Sequence, residues 1–183
     1  MNISDAFFNS LAQRGGCEPA EEKCLALLDS LGVPYAGLTH DPGDTIEICE
    51  EIEKKLGAPI VKNLFLCNQQ KTAFYLLVMP GSKVFKTKYL SKQIGSARLS
   101  FADADAMERL LGLRPGSVSI LGLANDTEKR VKLIFDEEIL TEEYLGFHPC
   151  RNTSTLKLRL RDLQEIFLPH LGITPTVVTL PTE

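Results

Sequence analysis

A single α/β domain with a mixed, mostly antiparallel sheet flanked by helices is the fold the sequence predicts. Three observations predict it. Segments of helical apolar spacing alternate along the chain with short apolar runs of strand length. Two of those runs flank a polar loop, Asn68-Gln69-Gln70-Lys71, a hairpin signal that argues against an all-parallel, doubly wound sheet. No repeat, low-complexity stretch or Pro- or Ser-rich linker divides the 183 residues, a length that suits one domain.

The elements follow in order. Residues 1–17 read as an irregular N-terminal extension broken by Gly15-Gly16, and residues 18–183 as the domain. From Glu18 to Leu31, Ala20, Cys24, Leu25, Leu27, Leu28 and Leu31 recur at helical spacing, and Gly32 is the expected stop. Pro34 to His40 reads as a strand and Asp41-Pro42-Gly43-Asp44 as a turn. Asp44 or Thr45 is the expected cap of a second helix ending at Gly57. The hairpin pairs Ile60 to Cys67 with Thr72 to Met79. Beyond the Pro80-Gly81 turn come a helix over Thr87 to Ile94, an extended segment over Ala97 to Ala102, and a helix to Leu111 capped by Asp103. Pro115-Gly116 opens an expected strand, Ser117 to Leu121, with further strands over Val131 to Phe135, Tyr144 to Phe147 and Ser154 to Leu160. A last helix runs from Leu160 to His170, and Thr174 to Leu180 is strand-like.

Composition narrows the function. The hydrophobic share of 44% and charged share of 24% are ordinary for a globular chain, and no apolar run reaches the roughly 20 residues of a membrane span. The first eight residues lack a basic region and a long apolar stretch, so no export signal and a cytoplasmic location are expected. Five cysteines without a Cys-x-x-Cys spacing then read as reduced thiols, and three scattered histidines match no zinc pattern. A net charge of −4 argues against a general nucleic-acid binder. The charge is uneven, however. Thr72 to Ala102 holds no acid but carries Lys83, Lys86, Lys88, Lys92 and Arg98, either a solvated surface or a local patch for phosphates.

Phosphate-loop, dinucleotide and nucleophile-elbow motifs are absent. What stands out is polar residues in apolar surroundings. Lys62 and Asn63 interrupt an apolar strand, where a lysine is costly unless it is paired, faces a cleft or reaches solvent from an edge. His148 lies between Gly146-Phe147 and Pro149, as a structural histidine or a ligand contact. Gly116 permits either a plain turn or close backbone approach to a ligand. His148 and Cys150 could share a face, but Pro149 distorts the segment and no orienting group is evident.

Taken together, Lys62-Asn63-Leu64-Phe65-Leu66, Leu90 to Gly95 with Arg98 to Ala102, Leu113-Arg114-Pro115-Gly116-Ser117-Val118, and Gly146-Phe147-His148-Pro149 followed by Asn152-Thr153 resemble one family in the right order. It is the YbaK/prolyl-tRNA-synthetase-associated editing domain family, and the resemblance runs from about Glu21 to Leu180. It implies a barrel-like sheet and hydrolysis of the ester joining a small amino acid to tRNA(Pro), with alanyl-tRNA(Pro) the expected substrate of a free-standing member. Cysteinyl-tRNA(Pro), another small aminoacyl-tRNA, or an inactive tRNA- or synthetase-binding module are the alternatives. By resemblance Lys62, Gly116 and His148 form the catalytic set. Asn63, Arg98, Ser117, Val118, Phe147, Asn152 and Thr153 bind substrate, and Lys83, Lys86, Lys88 and Lys92 follow tRNA phosphates. Leu64, Phe65, Val118 and Phe147 are the expected apolar pocket walls. No metal or organic cofactor is implied. The expected partners are the acceptor end of mischarged tRNA(Pro) and prolyl-tRNA synthetase, with no membrane and with monomer and homodimer both open. One departure is Ile120, where many relatives carry proline, which bears on loop shape and on the amino acid chosen.

Overall fold

The helices begin and end where local chemistry stops them. In the computed structural model, which describes residues 2–42 and 45–182, α1 (Leu11–Arg14) is one turn and α2 (Pro19–Leu31) ends at Gly32, φ 70°. After β1 (Tyr35–Thr39), α3 (Ile46–Leu56) is capped by the Thr45 hydroxyl, which accepts from Ile48 N, and stops at Gly57. The expected turn residue Gly43 and the alternative cap Asp44 lie outside the described residues. The hairpin is β2 (Val61–Asn68) with β3 (Phe74–Pro80). Then come α4 (Thr87–Ile94), β4 (Leu99–Phe101) and α5 (Ala104–Leu111), the last capped by Asp103 accepting from Ala106 N at 2.8 Å.

The segment expected as a strand over Ser117 to Leu121 is not one. It stays extended to Ser119 and then winds into a 3-10 helix, Ile120–Asn125. Side chains replace the missing strand partner: Asn63 Oδ1 accepts from Ile120 N at 2.8 Å and Ser119 Oγ from Leu121 N at 3.2 Å. The chain continues through β5 (Val131–Asp136), a 3-10 turn (Glu137–Thr141), β6 (Tyr144–Phe147) and β7 (Ser154–Arg159). The last helix starts as α6 (Leu160–Asp162), loosens to a π-helical stretch (Leu163–Phe167) and tightens into α7 (Leu168–Leu171), before β8 (Thr176–Val178).

The strands form two sheets and do not close into a barrel. One is antiparallel, in the order β1-β7-β6. The other runs β4-β2-β3-β5-β8, antiparallel through β3 and parallel beyond it. A parallel bridge between Ile60 and Gly146 joins them, backed by Gly146 N donating to Pro59 O at 2.8 Å. Glycine is required there, because a β-carbon on Gly146 would stand 2.9 Å from Ile60 Cγ1 and 3.0 Å from a Leu56 methyl. The N-terminal extension is not wholly irregular. Ile3 bridges to His40 and Phe8 to Gly37, and Phe8 is buried.

Alternation along β2 divides the core. Val61, Phe65 and Cys67 face the main cluster, with α2, α5 and the last helix. Leu64 and Leu66 face a smaller one beneath α4, shared with Leu77, Met79 and Leu90. Lys62 falls on the second face and Asn63 on the first.

Candidate functional site

The joint between the sheets places the two polar residues of greatest interest. Ile60 and Gly146 are bridged in parallel, and Lys62 and His148 each stand two residues further on, Lys62 within β2 and His148 just past the end of β6. Residues two apart on a strand share a face. Lys62 is half-buried, and its ammonium donates to the Lys83 carbonyl at 2.6 Å. His148 Nδ1 donates to the Ser154 carbonyl at 2.9 Å. A carbonyl only accepts, so that bond assigns the proton to Nδ1 and makes Nε2 the acceptor in the neutral ring.

Beside His148 lies a residue that sequence reasoning missed. His40, at the end of β1, is 6% exposed, and its ring centroid is 6.3 Å from that of His148. His40 Nδ1 donates to the Asp41 carbonyl and Nε2 accepts from the Thr155 hydroxyl, each at 2.8 Å. Thr155 Oγ1 in turn stands 3.5 Å from His148 Nδ1. The available signal was register: Thr39 pairs with Ser154, which sets the next residue beside the expected C-terminal motif.

Burial pushes the His40 imidazole below its ordinary value of 6.5, outweighing the hydrogen bonds that favour the charged ring. The unfolded chain therefore binds the proton more readily than the native one. Stability from this residue is full above pH 6.5 and is lost as pH falls below it towards the lowered native value. The urea midpoint should fall across that window, and a His40→Gln variant should lose this part of the slope.

The glycine loop and the C-terminal motif meet. Pro115 and Ser117 face Asn152 and Thr153 across a cleft of about 370 Å³. Gly116, φ 85°, makes the exposed turn that allows this approach. Thr153 also holds β1 in place, accepting from His40 N at 2.9 Å. The cleft is walled by Arg14 of the N-terminal extension and by Glu21, which is 1% exposed and paired to Arg14 at 2.9 Å. Glu21 and Arg14 gave no signal in sequence, where they read as surface charges.

Other expected residues lie elsewhere. Asn63 is on the opposite face from Lys62, holding Ile120 N. It therefore shapes the glycine loop from beneath. Asn63→Ala should strand that amide and cost about 1–3 kcal/mol in urea unfolding. Phe147 is 1% exposed in the main core, because its neighbours Gly146 and His148 take the other face. It is a packing residue and not an open pocket wall. Val118 is half-buried against the same core. Arg98 is exposed beside β4, whose Leu99 pairs with Asn68, about 20 Å along β2 from Lys62 at the usual strand rise.

Lys83 departs furthest from expectation. It is 5% exposed, and its ammonium donates to Asp136 at 2.7 Å, Leu180 O at 2.9 Å and Glu138 at 2.6 Å. Burial opposes the charge, but the bonds to Asp136 and Glu138 outweigh it and hold the group above its ordinary range. An ammonium so engaged is not offered to phosphates. Lys86, Lys88 and Lys92 are exposed, the last two one turn apart on α4.

A family model described as an aminoacyl-tRNA editing domain matches residues 40–166. The prolyl-tRNA editing protein ProX of Acetoanaerobium sticklandii is 36% identical over 147 residues, spanning 80% of this chain and 90% of that protein. Prolyl-tRNA synthetase associated domain-containing protein 1 of Mus musculus is 32% identical over 155 residues, 82% of this chain and 90% of its own. Among solved structures, one assigned as a trans-editing enzyme for prolyl tRNA synthetase superposes with a TM-score of 0.67, covering 91% of this chain and all of that one. At 15% identity it speaks to the fold alone.

Proposed function

The chain belongs to the aminoacyl-tRNA editing domain family, and from that premise we propose that it is a trans-editing deacylase that frees alanine from alanyl-tRNA(Pro). The family makes it an ester hydrolase, and the prolyl-tRNA editing relative points to tRNA(Pro). The observation that carries the reading is the cleft in which the glycine loop, through Pro115 and Ser117, meets Asn152 and Thr153 of the C-terminal motif.

Editing answers a physical limit. A synthetase pocket sized for proline gains only about 1–3 kcal/mol against a smaller alanine, so a second site must remove what slips through. In that second site a water oxygen adds to the ester carbonyl carbon. The bond to the ribose oxygen breaks, and a proton passes to that oxygen. Charge builds on the carbonyl oxygen as water adds, and the Lys62 ammonium is the group that stabilises it. It leaves the Lys83 carbonyl to do so. His148, fixed by Ser154 through Nδ1, shapes the substrate pocket, and the free ribose hydroxyl helps to position water. The backbone at Gly116, with Ser117, Asn152 and Thr153, holds the aminoacyl-adenosine end. Lys86, Lys88 and Lys92 meet acceptor-stem phosphates. The enzyme works in the cytoplasm beside prolyl-tRNA synthetase, as its similarity to a prolyl-tRNA editing protein suggests.

Incubation with alanyl-, cysteinyl- and prolyl-tRNA(Pro) tests the substrate. Loss of the alanyl ester alone supports the proposal. Loss of cysteine instead keeps the chemistry and moves the specificity, and loss of none removes the enzymatic reading.

A further inference from the structure

α2 and the loop after β6 meet at two thiols. Cys24 is 8% exposed and Cys150 is 2% exposed, and the two thiols lie beside each other. Both line a cavity of about 290 Å³. Lys23 and His170 line the same cavity and are themselves exposed, so it opens to solvent.

A second observation concerns the backbone. Cys150 has φ 64°, the left-handed region that a β-carbon disfavours. Glycine or asparagine would sit there with less strain, yet a cysteine is held there with its thiol on Cys24. The remaining cysteines, Cys17, Cys49 and Cys67, hold no such backbone position. The loop is also the one that carries His148, Asn152 and Thr153.

We propose that Cys24 and Cys150 are a redox site: they close to a reversible disulfide when the protein meets hydrogen peroxide, and closure slows the deacylase. The disulfide stands on the geometry alone, and its effect on rate rests on the function proposed above.

The chemistry balances as a two-electron exchange. The Cys150 sulfur attacks one peroxide oxygen, the O–O bond breaks, and the other oxygen leaves as water with the thiol proton, giving a sulfenic acid. The Cys24 sulfur then attacks the Cys150 sulfur, the S–O bond breaks, and a second water leaves. Two thiols lose two electrons and two protons, and the peroxide is reduced to two waters. The order of attack follows from the pair itself. The hydrogen bond to Cys150, and then burial, push the Cys24 thiol well above its ordinary range. Cys24 is thereby the poorer first nucleophile and serves as the resolving thiol.

The consequence is mechanical. A disulfide holds its sulfurs about 2.05 Å apart, closer than two unbonded sulfurs in contact, so closure draws the 148–153 loop towards α2. Displacing reacting geometry by about 1 Å costs on the order of a hundredfold in rate. A tenfold loss is the smallest effect consistent with the proposal.

The full chain, treated with equimolar hydrogen peroxide, then alkylated and digested without reduction, should yield one peptide pair linking Cys24 to Cys150. The link should be lost on adding dithiothreitol. It should not form in Cys24→Ser, nor in Cys150→Gly, where glycine suits the positive φ and protects the fold. Deacylation should fall at least about tenfold on oxidation, recover on reduction, and be untouched by peroxide in Cys24→Ser. Oxygenated thiols without a cross-link, or a cross-link through Cys17, would overturn the redox site. A Cys24–Cys150 link with an unchanged rate would overturn its control of the enzyme. A reduced protein with no deacylase activity would instead sink the function proposed above and leave the cross-link result standing.

Discussion

Lys62→Ala is expected to cut the single-turnover deacylation rate by at least about a hundredfold, the loss typical of removing one group that stabilises a developing oxyanion. The fold should survive. Lys62 is half-buried, and its ammonium donates to the carbonyl of Lys83, which can turn to water. Circular dichroism and the urea midpoint should therefore stay near those of the parent chain while activity disappears. Lys62→Arg should not rescue, because a planar guanidinium cannot occupy the point position of an ammonium between two strands. A variant with full rate at saturating substrate would remove Lys62 from the chemistry.

Lys83→Met should do the reverse and strike stability first. Its ammonium answers Asp136, whose side chain is 0% exposed, and Glu138, which at 51% exposed can turn to solvent. Removing the cation leaves Asp136 charged and enclosed. Breaking a buried pair in this way costs about 3–5 kcal/mol, a large part of a domain's whole stability. Urea unfolding measures it directly. Lys83→Met combined with Asp136→Leu should recover much of the loss, because no charge is then left behind. If Lys83→Met kept its urea midpoint and only weakened tRNA binding, the buried pair would be wrong and the phosphate role restored.

These two lysines also mark how far the sequence could be read. Helices were legible because their signals are local. The Asp103 side chain caps α5 three residues on, and Gly32, Gly57, Gly95 and Gly112 each end a helix in the left-handed region. The β2–β3 hairpin was legible for the same reason. Distant partners were not. Lys83 meets Asp136 across 53 residues and Leu180 across 97, and His40 meets Thr155 across 115. No spacing rule reaches so far. The extended look of Ser117 to Leu121 misled because Asn63, from another element, takes the amide a strand partner would take. The division of one expected barrel-like sheet into two depends on a single bridge at Gly146, also non-local.

At the candidate site, chemistry and order together singled out Lys62, His148 and the glycine loop as expectations. Alternation alone should have separated Lys62 from Asn63 and His148 from Phe147, since neighbours on a strand face opposite ways. The resemblance placed all four at the substrate. The structure turns Asn63 towards Ile120 and Phe147 into the core.

The most direct test of the account is to mix the purified chain, with no synthetase present, with alanyl-tRNA(Pro) and with prolyl-tRNA(Pro), and to follow both esters. The account predicts free alanine and intact tRNA from the first at a rate far above spontaneous hydrolysis, with the second left charged. Equal rates for the two, or no rate above background for either, would contradict it.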